Sequence, residues 1–580
     1  MASGDRQRAA LLSGAIAAFG VAQLAGGSDS EGGHPYRHTG LGPAVEARWL
    51  TAVGRLVAEM RPDLAPQLLA HLGIQGLPVR RQGDYDSGDS ADFASSTGST
   101  DSASSLGFAD STDFAEFTDQ NLLRGLSIGE IGVVYEALIA LSDQHRRRAQ
   151  GQYFTPDDVA KFLAAQAMEI HQKESNAQGI WLDPCCGVGN LAFHLTAAMP
   201  DPAEFISSKL ALIDIDPLAL KMAQALLVAN FAAPDDQKAL PALVSRSQAR
   251  DFLSAAPLPQ HDFVIVNPPY SQTERRFDCV TGAIGETYAY FLEKVIRESK
   301  GFVAITPAAH LGGKKYRPLR HLLQNTTGGT AFVFDNVPDT VFRGYKYGST
   351  NTSRTNFVRA AITVCAPTPR QWGVTPILRW TNRSRAKMWA NAAQYLLPLR
   401  FGPNGEWAKI MPGTEKVWDH LAKSSQTLAD LVTKERTEYQ LEVAATPRYY
   451  ISATKRSLNR TSKHTLYFKT ETEQNRAYIL LNSSIPYWWW RCLDGGITLK
   501  LQTLLSTPIP ENLAVSPNLV AKLAQDEYES IVVKMNAGLA CENVQRPGSL
   551  VNDIDAILLQ GIPYDFTKVY VSDMFSAFSQ

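Results

Sequence analysis

The tetrapeptide Asn267-Pro268-Pro269-Tyr270 closes the apolar run Phe263-Val264-Ile265-Val266 and combines properties that a plain turn does not need together. Each proline fixes its own φ and lacks an amide N–H. The carbonyl oxygen of Pro268 is thereby held rigid beside the side-chain oxygen of Asn267, and two convergent acceptors can take both protons of an exocyclic amine. Tyr270 supplies an aromatic face for a planar base.

Three further constellations precede it. Asp183-Pro184-Cys185-Cys186-Gly187-Val188-Gly189-Asn190 lies between a strand-like run and a helix-like stretch, where glycines let the backbone turn sharply and approach a ligand closely. A structural turn explains G-x-G about equally well. One strand later, Asp214 stands where an acid can accept bonds from two ribose hydroxyls, while Asp216, before Pro217, reads as a helix cap. In Arg250-Asp251-Phe252-Leu253 the Asp251 carboxylate can accept from an adenine amino group and Phe252 can cover a ring face. No diphosphate fingerprint of G-x-G-x-x-G type is present, so the nucleoside cofactor need not carry phosphates. This points away from a dinucleotide and toward S-adenosylmethionine.

The elements that must position these residues follow a strand–helix alternation from about 124 to 366. Strand candidates are Ile180–Leu182, Leu210–Ile213, Phe263–Val266, Phe302–Ile305 and Ala331–Phe334, separated by helical stretches such as Ala192–Ala198, Pro217–Asn230 and Tyr288–Glu298. Such alternation predicts an α/β fold with a mostly parallel sheet, whose ligands bind beyond the carboxyl ends of the strands. The 580 residues, 44% hydrophobic and 19% charged, suit a globular protein of several domains and exclude collagen-like, coiled-coil and wholly disordered chains. A net charge of −1 neither supports nor rejects a nucleic-acid partner, so local patches must decide. Six cysteines without a C-x-x-C pair or a His cluster at zinc spacing predict a reducing, cytoplasmic setting and no structural metal. Residues 9–26 are uncharged but carry Leu12, Ile16, Phe19 and Ala22 at helical spacing, and read as an ordinary helix rather than a signal peptide or membrane span.

The ordered set of motifs resembles the amino-methylating DNA methyltransferases of restriction-modification systems, specifically the gamma-class N6-adenine enzymes. Gly151-Gln152-Tyr153-Phe154-Thr155-Pro156 is similar to a segment of type I modification subunits and their type II relatives, and the resemblance places Thr155 and Pro156 at the methionine end of the cofactor. It likewise assigns Asp183, Pro184, Cys186, Gly187, Gly189, Asp214, Asp251 and Phe252 to S-adenosylmethionine, and Asn267, Pro268, Pro269 and Tyr270 to catalysis. Val188, Asp214 and Val266 depart from the commoner Thr or Ser, Glu and Gly. For a second aromatic wall around a flipped base the choice is Phe342, with Phe357 as competitor and a core role for either still open. The resemblance covers about 125–366 well, the last third loosely, and residues 1–120 not at all. It implies a Rossmann-like S-adenosylmethionine-dependent methyltransferase domain over 120–370, duplex DNA as substrate, and a cognate restriction endonuclease or specificity subunit as a further partner. No membrane is implied.

Outside that domain, residues 1–81 read as a helical region, and 82–119, with no Lys or Arg, as a disordered acidic linker. Residues 371–580 are expected to be an α+β target-recognition domain. There Arg448, Lys455, Arg456, Arg460 and Lys463 lie in a stretch without an acid, interleaved with Tyr449, Tyr450, Tyr467 and Phe468, which suits phosphate contacts. A solvated basic face is the competing reading. Trp488-Trp489-Trp490 reads as packing. Rival functions are methylation of a protein glutamine or an RNA base by the same tetrapeptide, and a DNA-binding defence component that holds the cofactor without turnover.

Overall fold

The computed structural model describes residues 12, 15, 43–75, 123–142, 155–173, 179–276, 278–342, 346–347, 350–351, 358–447, 449–494, 496, 498–511, 513–536 and 539–566. The 82–119 segment, Gly151–Phe154, Phe357 and Arg448 therefore lie outside the described residues. The chain divides into two compact units, one of residues 1–271 with 345–352, the other of 272–344 with 353–580.

In the first unit four parallel strands, β1 (Trp181–Asp183), β2 (Leu210–Asp214), β3 (Gln248–Ala249) and β4 (Phe263–Val266), form a sheet in the order β4-β1-β2-β3. β1, β2 and β4 are buried along their whole length, as the unbroken apolar runs require when helices cover both faces of a sheet. The helices include α1 (Pro43–Met60), α2 (Ala65–Leu72), α3 (Ile128–Ser142), α4 (Asp157–Lys173), α5 (Asn190–Ala198) and α6 (Pro217–Phe231). In α6 every residue from Leu218 to Ala229 except Lys221 is buried, because α1 and α2 pack on it as well as β2. Trp49 of α1 is fully buried, donates its indole N–H to the Met222 sulfur of α6, and stacks on Tyr135 of α3 with centroids 5.8 Å apart. Arg61 donates to the carbonyls of Ala232 and Ala233, and His71 pairs with Gln224. The helical N-terminal region is thus part of this unit's core.

The second unit continues with α7 (Thr287–Glu298) and five strands, β5 (Gly301–Pro307), β6 (Gly329–Phe334), β7 (Ala360–Cys365), β8 (Gly373–Leu378) and β9 (Leu397–Pro398). Their order is β5-β7-β6-β8-β9, and β5, β6 and β8 share a direction. β7 runs antiparallel between β5 and β6, and β9 is reversed against β8. Neither β7 nor β8 was among the strands expected from sequence. Beyond them lies an antiparallel sheet of β10 (Val432–Thr433), β11 (Gln440–Ala444), β12 (Ala453–Thr454) and β13 (Lys463–Phe468), ordered β10-β13-β11-β12. It packs on α8 (Glu471–Leu481) and α9 (Ile485–Leu493), followed by the hairpin β14 (Ile531–Asn536) and β15 (Leu539–Val544). Trp488, Trp489 and Trp490 of α9 are core residues, Trp489 stacked on Trp418 at 4.8 Å and 18°. Among the described residues no helix is long and apolar enough to cross a membrane.

Because Trp49 joins α1 to both α3 and α6, Trp49→Ala is expected to cost ~3–5 kcal/mol of stability by leaving a cavity beneath Tyr135. Urea unfolding followed by tryptophan fluorescence measures that loss.

Candidate active site

The site is assembled at the carboxyl ends of β1, β2 and β4, where the backbone leaves the sheet. After β1, Gly187 and Gly189 adopt left-handed conformations, with φ of 53° and 93°. A Cβ on Gly189 would stand 3.1 Å from that of Ala223, so this glycine is needed for close packing on α6, whereas a Cβ on Gly187 would point into open space. The turn is pinned to β2: the Cys186 amide donates to the Ile213 carbonyl at 3.1 Å, and the Gly187 amide to Asp214 Oδ2 at 2.7 Å.

Asp214 was expected to stand free for a ribose. Instead both of its oxygens hold backbone amides, Oδ1 accepting from Asp216 at 2.8 Å and Oδ2 from Gly187. Each carboxylate oxygen keeps a second lone pair, so the clamp orients the acceptor without exhausting it. Burial raises its pKa to about 6, against the lowering effect of those amides. Asp216 caps α6 as expected, accepting from the Leu218 and Ala219 amides. It also accepts from the Tyr135 hydroxyl at 2.6 Å, a contact between residues 81 apart that no local pattern announces.

Asp183 ends β1 fully buried; among the described residues its Oδ1 accepts a 3.3 Å contact from the Cys185 amide and its Oδ2 has no hydrogen-bond partner. Burial drives its pKa up to about 8. An acid in this condition is suited to a cationic group that would supply the missing partner and favour ionisation. The residues present therefore fit an amino-acid-bearing nucleoside: the carboxylate ending β1, an open glycine at 187 in the following turn, and the clamped Asp214 ending the adjacent β2 lie together. Burial pushes the Cys185 and Cys186 thiols well above their usual range, which disfavours the nucleophilic thiolate.

The tetrapeptide Asn267–Tyr270 is tied to this turn directly through Cys185 and indirectly through Thr155. The Cys185 thiol donates to the Asn267 carbonyl at 3.1 Å, and Asn267 Nδ2 donates to Thr155 Oγ1 at 2.9 Å. Thr155 in turn accepts, through its carbonyl, from Asn190 Nδ2 at 2.7 Å. Asn190 had no assigned role, although its place at the start of α5 directly after the glycines was the available signal. Tyr270 is half-buried and its hydroxyl donates to Asn267 Oδ1 at 2.7 Å. The acceptor expected to face an amine is therefore engaged by the very side chain expected to stack on the base. Pro184, Pro156 and Pro269 flank these contacts in partly buried or buried positions, and Pro268 is buried.

Other expected residues are placed differently. Asp251 is exposed and its carboxylate accepts the Leu253 amide in a local turn, while Phe252 is buried. Phe342 is 2% exposed in the second unit, so as it stands it offers no open face for stacking. The basic stretch is largely consumed internally. Lys455 donates to Asn475 Oδ1 at 2.7 Å, Arg456 pairs with Glu542 at 3.3 Å, and Lys463 pairs with Glu442 at 2.8 Å. Arg460 donates to Thr446 Oγ1, to the Ser462 carbonyl and to Asn543. The acids come from β11 and β15, outside the window in which the stretch looked unpaired.

Residues 127–299 match the model of the N-6 DNA methylase family, a range that contains Thr155, the glycine turn, Asp214 and Asn267–Tyr270. The chain carries an N-6 DNA methylase domain. Solved structures to which the chain is similar include a chain of the DrdV–DNA complex, 13% identical over 76% of this chain and 49% of that one, with a TM-score of 0.41. Another is the type IIG restriction endonuclease BpuSI, 12% identical over 95% and 75%, with a TM-score of 0.39. A third is the methyltransferase subunit of a type I restriction-modification system from Streptococcus thermophilus, 14% identical over 45% and 56%, TM-score 0.30. The chain spans about half the length of the first and third.

The elevated pKa of Asp183 in the methylase domain has a measurable consequence. Because the folded value of about 8 exceeds the unfolded one, the stability it contributes is complete below the ordinary carboxylate range and is lost as pH rises through about 8. The melting temperature of the ligand-free protein should therefore fall between about pH 5 and about pH 9, and Asp183→Asn should flatten that fall. Calorimetry across the range checks it; equal slopes for both proteins would place the titrating group elsewhere.

Proposed function

We propose that the chain transfers a methyl group from S-adenosylmethionine to the N6 amino group of adenine at a specific duplex DNA sequence, within a restriction-modification or related defence system. The observation that carries this reading is the pair of contacts joining Asn267 to the glycine turn through Cys185 and Thr155. They hold an amine-binding amide beside the turn whose orphaned acid fits a cationic nucleoside, which is what direct transfer between the two requires. The region 371–580 is assigned to target recognition, with a cognate nuclease or specificity subunit as partner.

The bound sulfonium cofactor supplies an electrophilic methyl group. The chain's own residues do the rest. Asp183 would face the cofactor's ammonium, Asp214 its ribose, and Thr155 and Pro156 its methionine end. An adenine inside duplex DNA cannot reach this site, so the base must swing out, at a cost of a few kcal/mol. Stacking on Tyr270 returns roughly 1–3 kcal/mol by analogy with single-strand binders. As the tyrosine moves onto the base its hydroxyl leaves Asn267 Oδ1, which becomes available together with the Pro268 carbonyl for the two amine protons. Accepting both protons favours the pyramidal, cationic transition state over the flat, delocalised ground state, and that difference accelerates transfer. Thr155 keeps the Asn267 amide from rotating while the exchange occurs.

Mass spectrometry of nucleosides from duplex DNA incubated with the protein and isotopically labelled S-adenosylmethionine tests the assignment. Labelled N6-methyladenine is expected; label in protein or RNA alone would support the rival substrates. Asn267→Ala should retain cofactor and DNA binding while turnover drops by at least about a hundredfold, by analogy with removing one preorganised hydrogen-bond donor from an oxyanion hole. Near-normal turnover would exclude Asn267 from the chemistry.

A further inference from the structure

The second unit holds a cluster of charge that the methylation chemistry does not use. Asp335, immediately after β6, is 2% exposed and is met by three arginines. Arg359 Nε approaches Oδ1 at 2.7 Å, while Arg379 Nε and Arg491 Nη2 approach Oδ2 at 3.2 and 3.0 Å. Topology makes the meeting: Arg379 directly follows β8, Arg359 directly precedes the reversed strand β7, and Arg491 sits on α9. All three sheet residues therefore emerge at one edge.

One carboxylate cannot neutralise three guanidinium groups. Asp494, also near Arg359, is paired with Lys500 at 2.6 Å, so in the ion pairs seen among the described residues Asp335 is the one carboxylate shared by the three arginines. Burying like charges together is costly unless a further anion joins them. The arginine side chains are 16%, 10% and 13% exposed, so each keeps limited contact with solvent. Arg359 and Arg379 each direct Nε inward, and their terminal nitrogens form none of the hydrogen bonds seen among the described residues. Arg379 also lies over the half-buried ring of Tyr449, with its guanidinium carbon 5.9 Å from the ring centroid.

We propose that Arg359, Arg379 and Arg491 form a binding site for one phosphodiester group of the DNA backbone, with Asp335 as the fixed counter-charge that holds the three guanidinium groups in place. The planar forks of arginine match phosphate oxygens in pairs, and a shared carboxylate behind them preorganises the donors so that little side-chain entropy is lost on binding. The site rests on the reading of duplex DNA as substrate and adds to it a backbone contact outside the methyl-transfer chemistry. Such a contact fixes position on the duplex and carries no base preference.

The test uses the full chain and a duplex oligonucleotide. Phenylglyoxal modification followed by peptide mass spectrometry should show Arg359 and Arg379 protected by DNA in the wild-type protein; equal modification with and without DNA overturns the site, and needs no variant. In fluorescence-anisotropy titrations, Arg359→Gln and Arg379→Gln should each weaken DNA binding several-fold and reduce the slope of log affinity against log salt by about 0.9, the value for one phosphate. Their S-adenosylmethionine affinity should be unchanged and their melting temperatures equal or higher, since each substitution relieves repulsion. A purely structural cluster predicts the reverse, with melting lowered and the salt slope intact. A wild-type protein that methylates duplex DNA yet shows neither protection nor a slope change sinks the phosphate site alone. One that neither binds nor methylates duplex DNA sinks the functional reading and the site with it.

Discussion

The side chain of Asn267 is held from both ends, its amide nitrogen donating to Thr155 and its amide oxygen accepting from Tyr270, while the thiol of Cys185 donates to its backbone carbonyl. The segment entering α4 and the turns leaving β1 and β4 are joined through this one residue. An amide that must present an oxygen in a fixed direction cannot be left to rotate, because its two faces differ in sign: one end donates and the other accepts. Thr155 settles that orientation. It is itself fixed by Asn190 at the start of the helix after the glycine turn, so the orientation of the Asn267 amide and the geometry of that turn are coupled.

Burial supplies the electrostatics around this anchor. Asp183 and Asp214 sit at the ends of adjacent parallel strands in the interior, and desolvation raises both pKa values while only Asp214 has two strong amide donors to counter it. Two carboxyl groups of similar sequence setting are thereby given different tasks. Asp214 is a clamp that shapes the glycine turn and keeps spare acceptor capacity. Asp183 is left wanting a partner. Farther out, Tyr135 reaches Asp216, and Trp49 stacks on Tyr135, so the N-terminal helices support the second-strand acids through a continuous series of contacts.

Cations show the opposite lesson. The stretch from Arg448 to Lys469 looked like a DNA-binding patch because it has no acid of its own, yet Glu442 and Glu542 are brought to it by neighbouring strands. Asp335 collects three arginines from sequence positions 24, 44 and 156 residues away and remains outnumbered. Local charge counting overestimates the first cluster and overlooks the second, since sheet register sets which opposite charges meet.

Much of the methylase domain was legible in the chain. The Asn-Pro-Pro-Tyr motif, the Asp-Pro-Cys-Cys-Gly-x-Gly turn and the capping role of Asp216 follow from local stereochemistry: fixed proline φ, glycine's left-handed freedom, and an acid before Pro217. The parallel strands were readable because a strand buried on both faces is an unbroken apolar run. β7 was missed because Ala-Ala-Ile-Thr-Val-Cys interrupts such a run with small and polar residues, and its reversed direction depends on its partners rather than on its own composition. Only the tertiary structure decided that Tyr270 occupies Asn267, that Asp183 Oδ2 has no hydrogen-bond partner among the described residues, that Phe342 is enclosed, and that three arginines meet on Asp335. Those outcomes depend on distances between residues tens to hundreds apart in sequence, and a chain of letters carries local conformational preference but no record of which remote groups exclude water together.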